Sequence, residues 1–202
     1  MPKLLGAPAS PFVAKVRMAA TWLDLPVTIE NVNVITVDEP PLLIDANPLG
    51  KIPTLILDDG YAVIESSAIM REFDRMSGKK LYPRNAEKLR DAERIEAMAD
   101  GVSTCLQAQV YERRSRPEGM AHQPWIDKQA RKAARGLDWL NEHAPRVTTR
   151  LHGGHFALAA MAGYLDLRFP DLDWRRGRPK LRRFEQRFEE AFPAYRAQRP
   201  HG

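Results

Sequence analysis

Three short stretches of this 202-residue chain combine residue types that handle anions. Ser10-Pro11 stands where an apolar run hands over to a helical pattern, with Ser at the cap and Pro at the first helical position. A hydroxyl there can donate a hydrogen bond to an anion, and the free amides and macrodipole of the helix end favour the same charge. A thiolate suits such a site. Lowering a thiol pKa from about 8.5 to about 6.5 needs roughly 2.7 kcal/mol, within reach of one charge-assisted hydrogen bond plus a helix terminus. Capping alone also explains the pair. Lys51-Ile52-Pro53-Thr54 sets a proline directly before an apolar strand, where a residue without an N–H donor is tolerated. The statistics of X-Pro bonds, taken alone, favour trans there. Glu65-Ser66-Ser67 follows a further strand and opens a helix, an arrangement that either holds a carboxylate through amides and a hydroxyl or simply caps.

The elements that must position these stretches are legible in the periodicity. Lys3 to Gly6 is a short apolar strand, and Phe12, Val13, Val16, Ala20 and Leu23 recur at helical spacing. Val27 to Val34 is rich in β-branched residues, and Asp38 to Ala46 reads as a weak helix or turn closed by Asn47-Pro48. Thr54 to Leu57 and Tyr61 to Ile64 flank Asp58-Asp59-Gly60, an Asp-Gly hairpin signal that predicts antiparallel pairing. Glu65 to Met76 resumes helical spacing and ends at Ser77-Gly78. The order is βαβ, then ββα.

From Ala86 the strand signals vanish. Ala92, Ile95, Ala99, Val102, Leu106 and Val110 fall on one stripe of a long amphipathic helix, and a second runs from about Trp125 to Asn141. A third, mostly apolar helix covers Phe156 to Leu167, and Leu181, Phe184, Phe188 and Ala191 mark a fourth. These patterns predict an α/β domain over 1–77, a linker over 78–85 and an all-α domain over 86–202.

Composition sets the outer bounds. With 44% hydrophobic and 28% charged residues the chain can build an ordinary core, which excludes disordered and fibrous classes. No apolar stretch approaches the roughly 20 residues a membrane span needs, and Pro8 and Pro11 break any signal-peptide core, so a cytoplasmic, unprocessed protein with no membrane partner is expected. The single cysteine, Cys105, rules out an internal disulfide and reads as packing. No metal is expected: His152 and His155 flank Gly153-Gly154 without a nearby carboxylate or thiol. The net charge of +5 is uneven, with 8 basic against 10 acidic residues in 1–80 and 23 against 16 in the rest. The densest basic run, Arg175 to Arg183, is followed by Glu185, Glu189 and Glu190 and lacks aromatic residues for base stacking, so a solvated face is expected and no nucleic acid.

Together, Ser10-Pro11-Phe12 at a helix start, Asn47 to Leu55 before the third strand and Glu65-Ser66-Ser67-Ala68-Ile69 at the third helix resemble the thioredoxin-like domain of glutathione transferases, followed by their all-helical domain. The resemblance spans essentially the whole chain and is nearest to small bacterial enzymes with Ser-Pro-Phe-Val and a later Gly-Tyr-Leu-Asp-Leu-Arg-Phe, here Gly163 to Phe169. It implies a glutathione transferase fold, glutathione as cosubstrate, a homodimer and a role in detoxification. Ser10 would contact the glutathione sulfur. Pro53 would be the family's cis proline, offering the backbone of Ile52 to the cysteinyl unit like an added strand. Glu65 and Ser66 would hold the γ-glutamyl end, and Lys51 would lie near the glycyl carboxylate. Asp100 would either reach the γ-glutamyl ammonium of a partner subunit or stay a solvated surface carboxylate. Serine in place of cysteine at position 10 favours conjugation or peroxide reduction over thiol exchange, because a hydroxyl forms no mixed disulfide. The uncharged Ala7, Phe12 and Tyr111 imply a small apolar electrophile as acceptor.

One departure stands out. The family's core helix opens on Ser or Thr with Asp three residues later, and no such pair occurs from 145 to 170. A frayed or 3₁₀ start to the Phe156 helix is expected, with His155 as a substitute cap. The lost box favours an alternative reading, a non-catalytic interaction or ligand-binding protein of the same fold. The set Ser10, Pro53, Glu65 and Ser66 favours the enzyme.

Overall fold

The computed structural model describes residues 1–32 and 40–202. Strand β1 (Lys3–Gly6) leads through helix α1 (Pro11–Trp22) to β2 (Thr28–Asn31), which pairs parallel with β1 in the register Lys3 to Thr28. The Val34 end of the expected second strand and the Asp38 start of the expected turn lie outside the described residues; α2 occupies Pro41–Ala46. Strands β3 (Thr54–Ile56) and β4 (Ala62–Ile64) pair antiparallel across the Asp-Asp-Gly turn. There Gly60 takes φ +85° and Asp59 Oδ1 accepts from the Tyr61 amide at 2.9 Å. With β3 antiparallel to β1, the described strands form one sheet in the order β2-β1-β3-β4. Helix α3 (Ser66–Met76) closes the βαβ-ββα unit.

The remainder is helical: α4 (Ala86–Arg114), α5 (Gln123–Glu142), α6 (Gly153–Arg168), α7 (Pro179–Ala191) and a short α8 (Tyr195–Gln198). Asn85 caps α4 by accepting from the amides of Glu87 and Lys88 at 3.1 and 3.0 Å. Helix α6 is buried along Gly153 to Leu165 and is the spine around which α1, α4 and α7 pack. The apolar core is continuous across the two halves. Met18 and Ala19 of α1 join Phe156, Phe188 and Phe192 in one cluster, and Trp22 lies 6.5 Å from the Phe156 ring. A smaller cluster of Leu5, Val32 and Leu43 covers the other face of the sheet.

The start of α6 corrects the expectation of fraying. The helix is regular from Gly153, three residues before the expected Phe156. His155 Nδ1 accepts from the His152 amide at 3.1 Å, and its Nε2 bonds the Arg146 carbonyl at 3.2 Å, an arrangement that requires a neutral ring with its proton on Nε2. Burial keeps it neutral by pushing the His155 imidazole down to about 4. His155 thus does the work of the missing acid, as expected, and the bond from its amide to the His152 carbonyl, at 2.8 Å against 3.4 Å for the Phe156 amide to the same oxygen, gives that end the expected 3₁₀ character. The two glycines between these histidines have a packing reason. A Cβ at Gly154 would lie 2.8 Å from the Ala92 carbonyl oxygen of α4, and one at Gly153 would strike the Tyr82 hydroxyl and Glu96.

Candidate functional site

The β1–α1 turn aims Ser10 at a cleft between the halves. Gly6 ends β1 where an added Cβ would collide with Val13, so the backbone turns tightly and Ser10 falls at the N-cap of α1 with φ −78° and ψ 125°. Its hydroxyl oxygen accepts from the Val13 amide at 3.3 Å. The hydroxyl proton has no partner among the described residues and remains available for donation. Ser10 therefore caps its helix and faces the cleft at once; the two readings of the sequence are compatible.

A second wall is the turn before β3. Asn47 holds it by donating from Nδ2 to the Lys51 carbonyl at 2.9 Å and accepting from the Leu49 amide at 3.2 Å. Thr54 donates its hydroxyl to the same carbonyl at 2.9 Å, and Gly50 takes φ +59°. The Ile52–Pro53 bond is cis, as the resemblance implied and the bare statistics did not. Neither backbone group of Ile52 is bonded among the described residues, so an extended peptide finds a free donor and acceptor there.

The third wall is the start of α3. Glu65 is its N-cap at φ +71°, a region unfavourable to a residue with a Cβ and costing on the order of 1–3 kcal/mol. The first amides of α3 are unpaired, since the first helical bond returns from Ile69 to the Glu65 carbonyl. Ser66 is buried at 4% exposure, with no side-chain partner among the described residues. All six residues singled out in the sequence, Ser10, Lys51, Ile52, Pro53, Glu65 and Ser66, line one cleft of about 540 Å³. That volume suits a small ligand.

Helix α4 supplies the facing wall through Asp100, Thr104, Gln107, Tyr111 and Arg114, spaced 4, 3, 4 and 3 along a polar face beside its buried stripe. Asp100 is partly buried, lines the cleft and is paired within its own chain. Its Oδ2 lies 2.6 Å from the ammonium of Lys15, a fully buried residue of α1 that also meets Glu96 at 3.2 Å. Tyr82 donates its hydroxyl to Glu96 at 2.5 Å. Burial raises the Asp100 carboxyl, opposed by Lys15 and reinforced by Glu96 and Glu65. Burial and the Glu96 charge raise the Tyr82 hydroxyl.

The lining also holds the uncharged Ala7, Phe12, Val110 and Tyr111, and Arg114, Tyr164 and Arg168, with Tyr111, Arg114 and Arg168 near Tyr164. The two arginines were not foreseen. Their signal was helical spacing, Arg114 three residues after Tyr111 and Arg168 four after Tyr164. Burial, then the neighbouring Tyr111, pushes the Tyr164 hydroxyl up to about 12 against the pull of Arg168 and Arg114. Cys105 lies on α4 away from the cleft lining; burial raises its thiol. Among the described residues no group of three or more His, Cys, Asp and Glu could hold a metal, and no helix is long and apolar enough to cross a membrane.

Comparison with known proteins gives a consistent set of likenesses. Residues 4–80 match the family model for the glutathione S-transferase N-terminal domain, and residues 123–187 that for the C-terminal domain. An uncharacterized GST-like protein of Escherichia coli, YibF, is 29% identical over 183 residues, 89% of each chain. A glutathione S-transferase of Methylobacillus flagellatus, solved with glutathione bound, is 33% identical over 100% of both chains with a TM-score of 0.89. A glutathione transferase family member from Pseudomonas fluorescens Pf-5, also with bound glutathione, is 30% identical over 100% of both chains with a TM-score of 0.92.

Proposed function

This chain belongs to the glutathione S-transferase family, and from that premise we propose that it is a glutathione transferase that activates the bound thiol for attack on a small electrophile. The observation that carries the reading is the convergence of an unspent hydroxyl proton on Ser10, the free backbone of Ile52 and the open amides of α3 on a single cleft. Ser10 donates to the sulfur and stabilises the thiolate together with the α1 terminus. Ile52 pairs with the cysteinyl backbone. Ser66 and the α3 amides take the γ-glutamyl carboxylate, Glu65 takes its ammonium, and Lys51 approaches the glycyl carboxylate. The thiolate sulfur then forms a bond to the electrophilic carbon while the leaving group departs with the bonding pair; the thiol proton passes to solvent on binding. The body of the electrophile rests on Ala7, Phe12 and Tyr111.

The relatives crystallised with glutathione support this assignment of the cleft. The division at 78–85 between a glutathione-binding and a helical domain belongs to the same proposal, as does a cytoplasmic location. A homodimer does too: Tyr61, Ile64 and Met76 are exposed apolar residues on the β4–α3 side, and the acidic first and basic second parts of the chain complement each other.

The test is thermal unfolding with and without glutathione, followed by turnover of an aryl halide. Glutathione at 100 times its dissociation constant adds about 2.7 kcal/mol of stability. No shift refutes the reading, and a shift without turnover of any of a panel of electrophiles supports the non-catalytic alternative.

A further inference from the structure

Two guanidinium groups reach the acceptor end of the cleft from different helices. Arg114 closes the polar face of α4, and Arg168 ends α6. Among the described residues neither makes an ion pair, and Arg168 is hydrogen-bonded to the Tyr164 hydroxyl; what sets the two apart from the other unpaired cations of the helical part is that both line the cleft. A cation left unmatched at the mouth of a cleft is a recognition element for an anion, and two of them with planar donor forks suit a carboxylate. The hydroxyls of Tyr111 and Tyr164 stand beside them and add neutral donors. Phe12 and Val110 add apolar surface to the same cleft.

We propose that the acceptor is an electrophile with an apolar body and a carboxylate tail, the tail held by Arg114 and Arg168. This refines the expectation of a purely apolar acceptor and rests on the glutathione transferase reading of the cleft. The surplus positive charge of residues 81–202 acts in the same sense by drawing an anionic substrate toward the cleft, an effect that weakens as salt is added.

The experiment compares two glutathione thioethers that differ only in charge at the tail, S-(4-carboxybenzyl)glutathione and S-(4-carbamoylbenzyl)glutathione, with glutathione as reference. Dissociation constants are measured by calorimetry at low and high salt. The carboxylate binds about ten- to thirtyfold more tightly than the carboxamide at low salt, as expected for charge-assisted hydrogen bonds at a partly exposed site. The advantage shrinks with salt and collapses toward one in the double variant Arg114→Gln, Arg168→Gln. Equal binding of the two thioethers, or an advantage that survives in the double variant, overturns the inference while leaving the glutathione reading intact. Absence of binding by glutathione and both thioethers instead overturns the underlying reading, and the inference with it. The salt series on the unmodified protein decides the question even if the double variant does not fold.

Discussion

The buried ammonium of Lys15 lies 2.6 Å from the Asp100 carboxylate, tying the helix that opens at Ser10 to the helix that forms the facing wall of the cleft. Glu96, at 3.2 Å, shares the same ammonium and is itself held by Tyr82. The spacing between the thiolate side and the acceptor side therefore rests on a charge cluster inside the interface of the two halves.

Removing one member of a buried ion cluster leaves its partners uncompensated, a loss of about 3–5 kcal/mol. Lys15→Met is expected to lose that much in urea denaturation. Adding Glu96→Gln and Asp100→Asn restores much of it, because the remaining groups are then neutral. A loss below about 1 kcal/mol in Lys15→Met would show that the cluster contributes little.

Ser10→Ala removes the proposed donor to the sulfur and a cap on α1. Conjugation slows about 10- to 100-fold as the bound thiol's pKa rises, while the glutathione dissociation constant moves by less than about threefold. Stability falls by about 1 kcal/mol for the lost cap. Steady-state kinetics and calorimetry on the same preparation separate these effects, and a purely structural serine would change only the last.

Ser66→Ala acts at the proposed γ-glutamyl end of the cleft. Glutathione affinity weakens about tenfold, the value of one hydrogen bond to a carboxylate, without a shift in the pH at which the bound thiol ionises. A loss of rate at saturating glutathione would contradict this division of labour.

The cap on α6 predicts an acid limb in stability. The His155 ring, ordinarily ionising near 6.5, is held near 4 in the folded chain, so the unfolded chain binds the extra proton first. Stability from this group is full above about pH 6.5 and is lost as the pH falls toward 4, by about 2 kcal/mol at pH 5. His152, pushed down to about 3 by burial and by His155, adds to the same trend. His155→Asn keeps an acceptor for the His152 amide and removes the titration, so its stability between pH 7 and 5 is flatter. An unchanged acid slope in this variant would place the titration elsewhere.

The βαβ-ββα order was legible because β-branched runs, the Asp-Asp-Gly turn and the helical stripes each act locally. The residues of the cleft's first walls were legible in combination, since Ser10, Pro53 and Glu65 each also have a plain structural reading. What escaped is what depends on pairing in space. Lys15 and Glu96 read as ordinary charges among apolar neighbours, and only their mutual approach across α1 and α4 makes burial tolerable. At the start of α6 the His155 cap was legible, and only the first turn was missed, because Gly153 and Gly154 carry no side chain to extend the apolar pattern. Arg114 and Arg168 belong to separate helices, so their convergence is invisible until both helices are placed. The short α8 is one turn long and leaves no periodicity to read.

The most direct test of the central claim is a pH titration of the thiolate absorbance of glutathione bound to the unmodified protein, set against free glutathione. Ionisation of the bound thiol is expected about two units below the ordinary thiol value of about 8.5. Ionisation of the bound thiol at the same pH as the free one would contradict it.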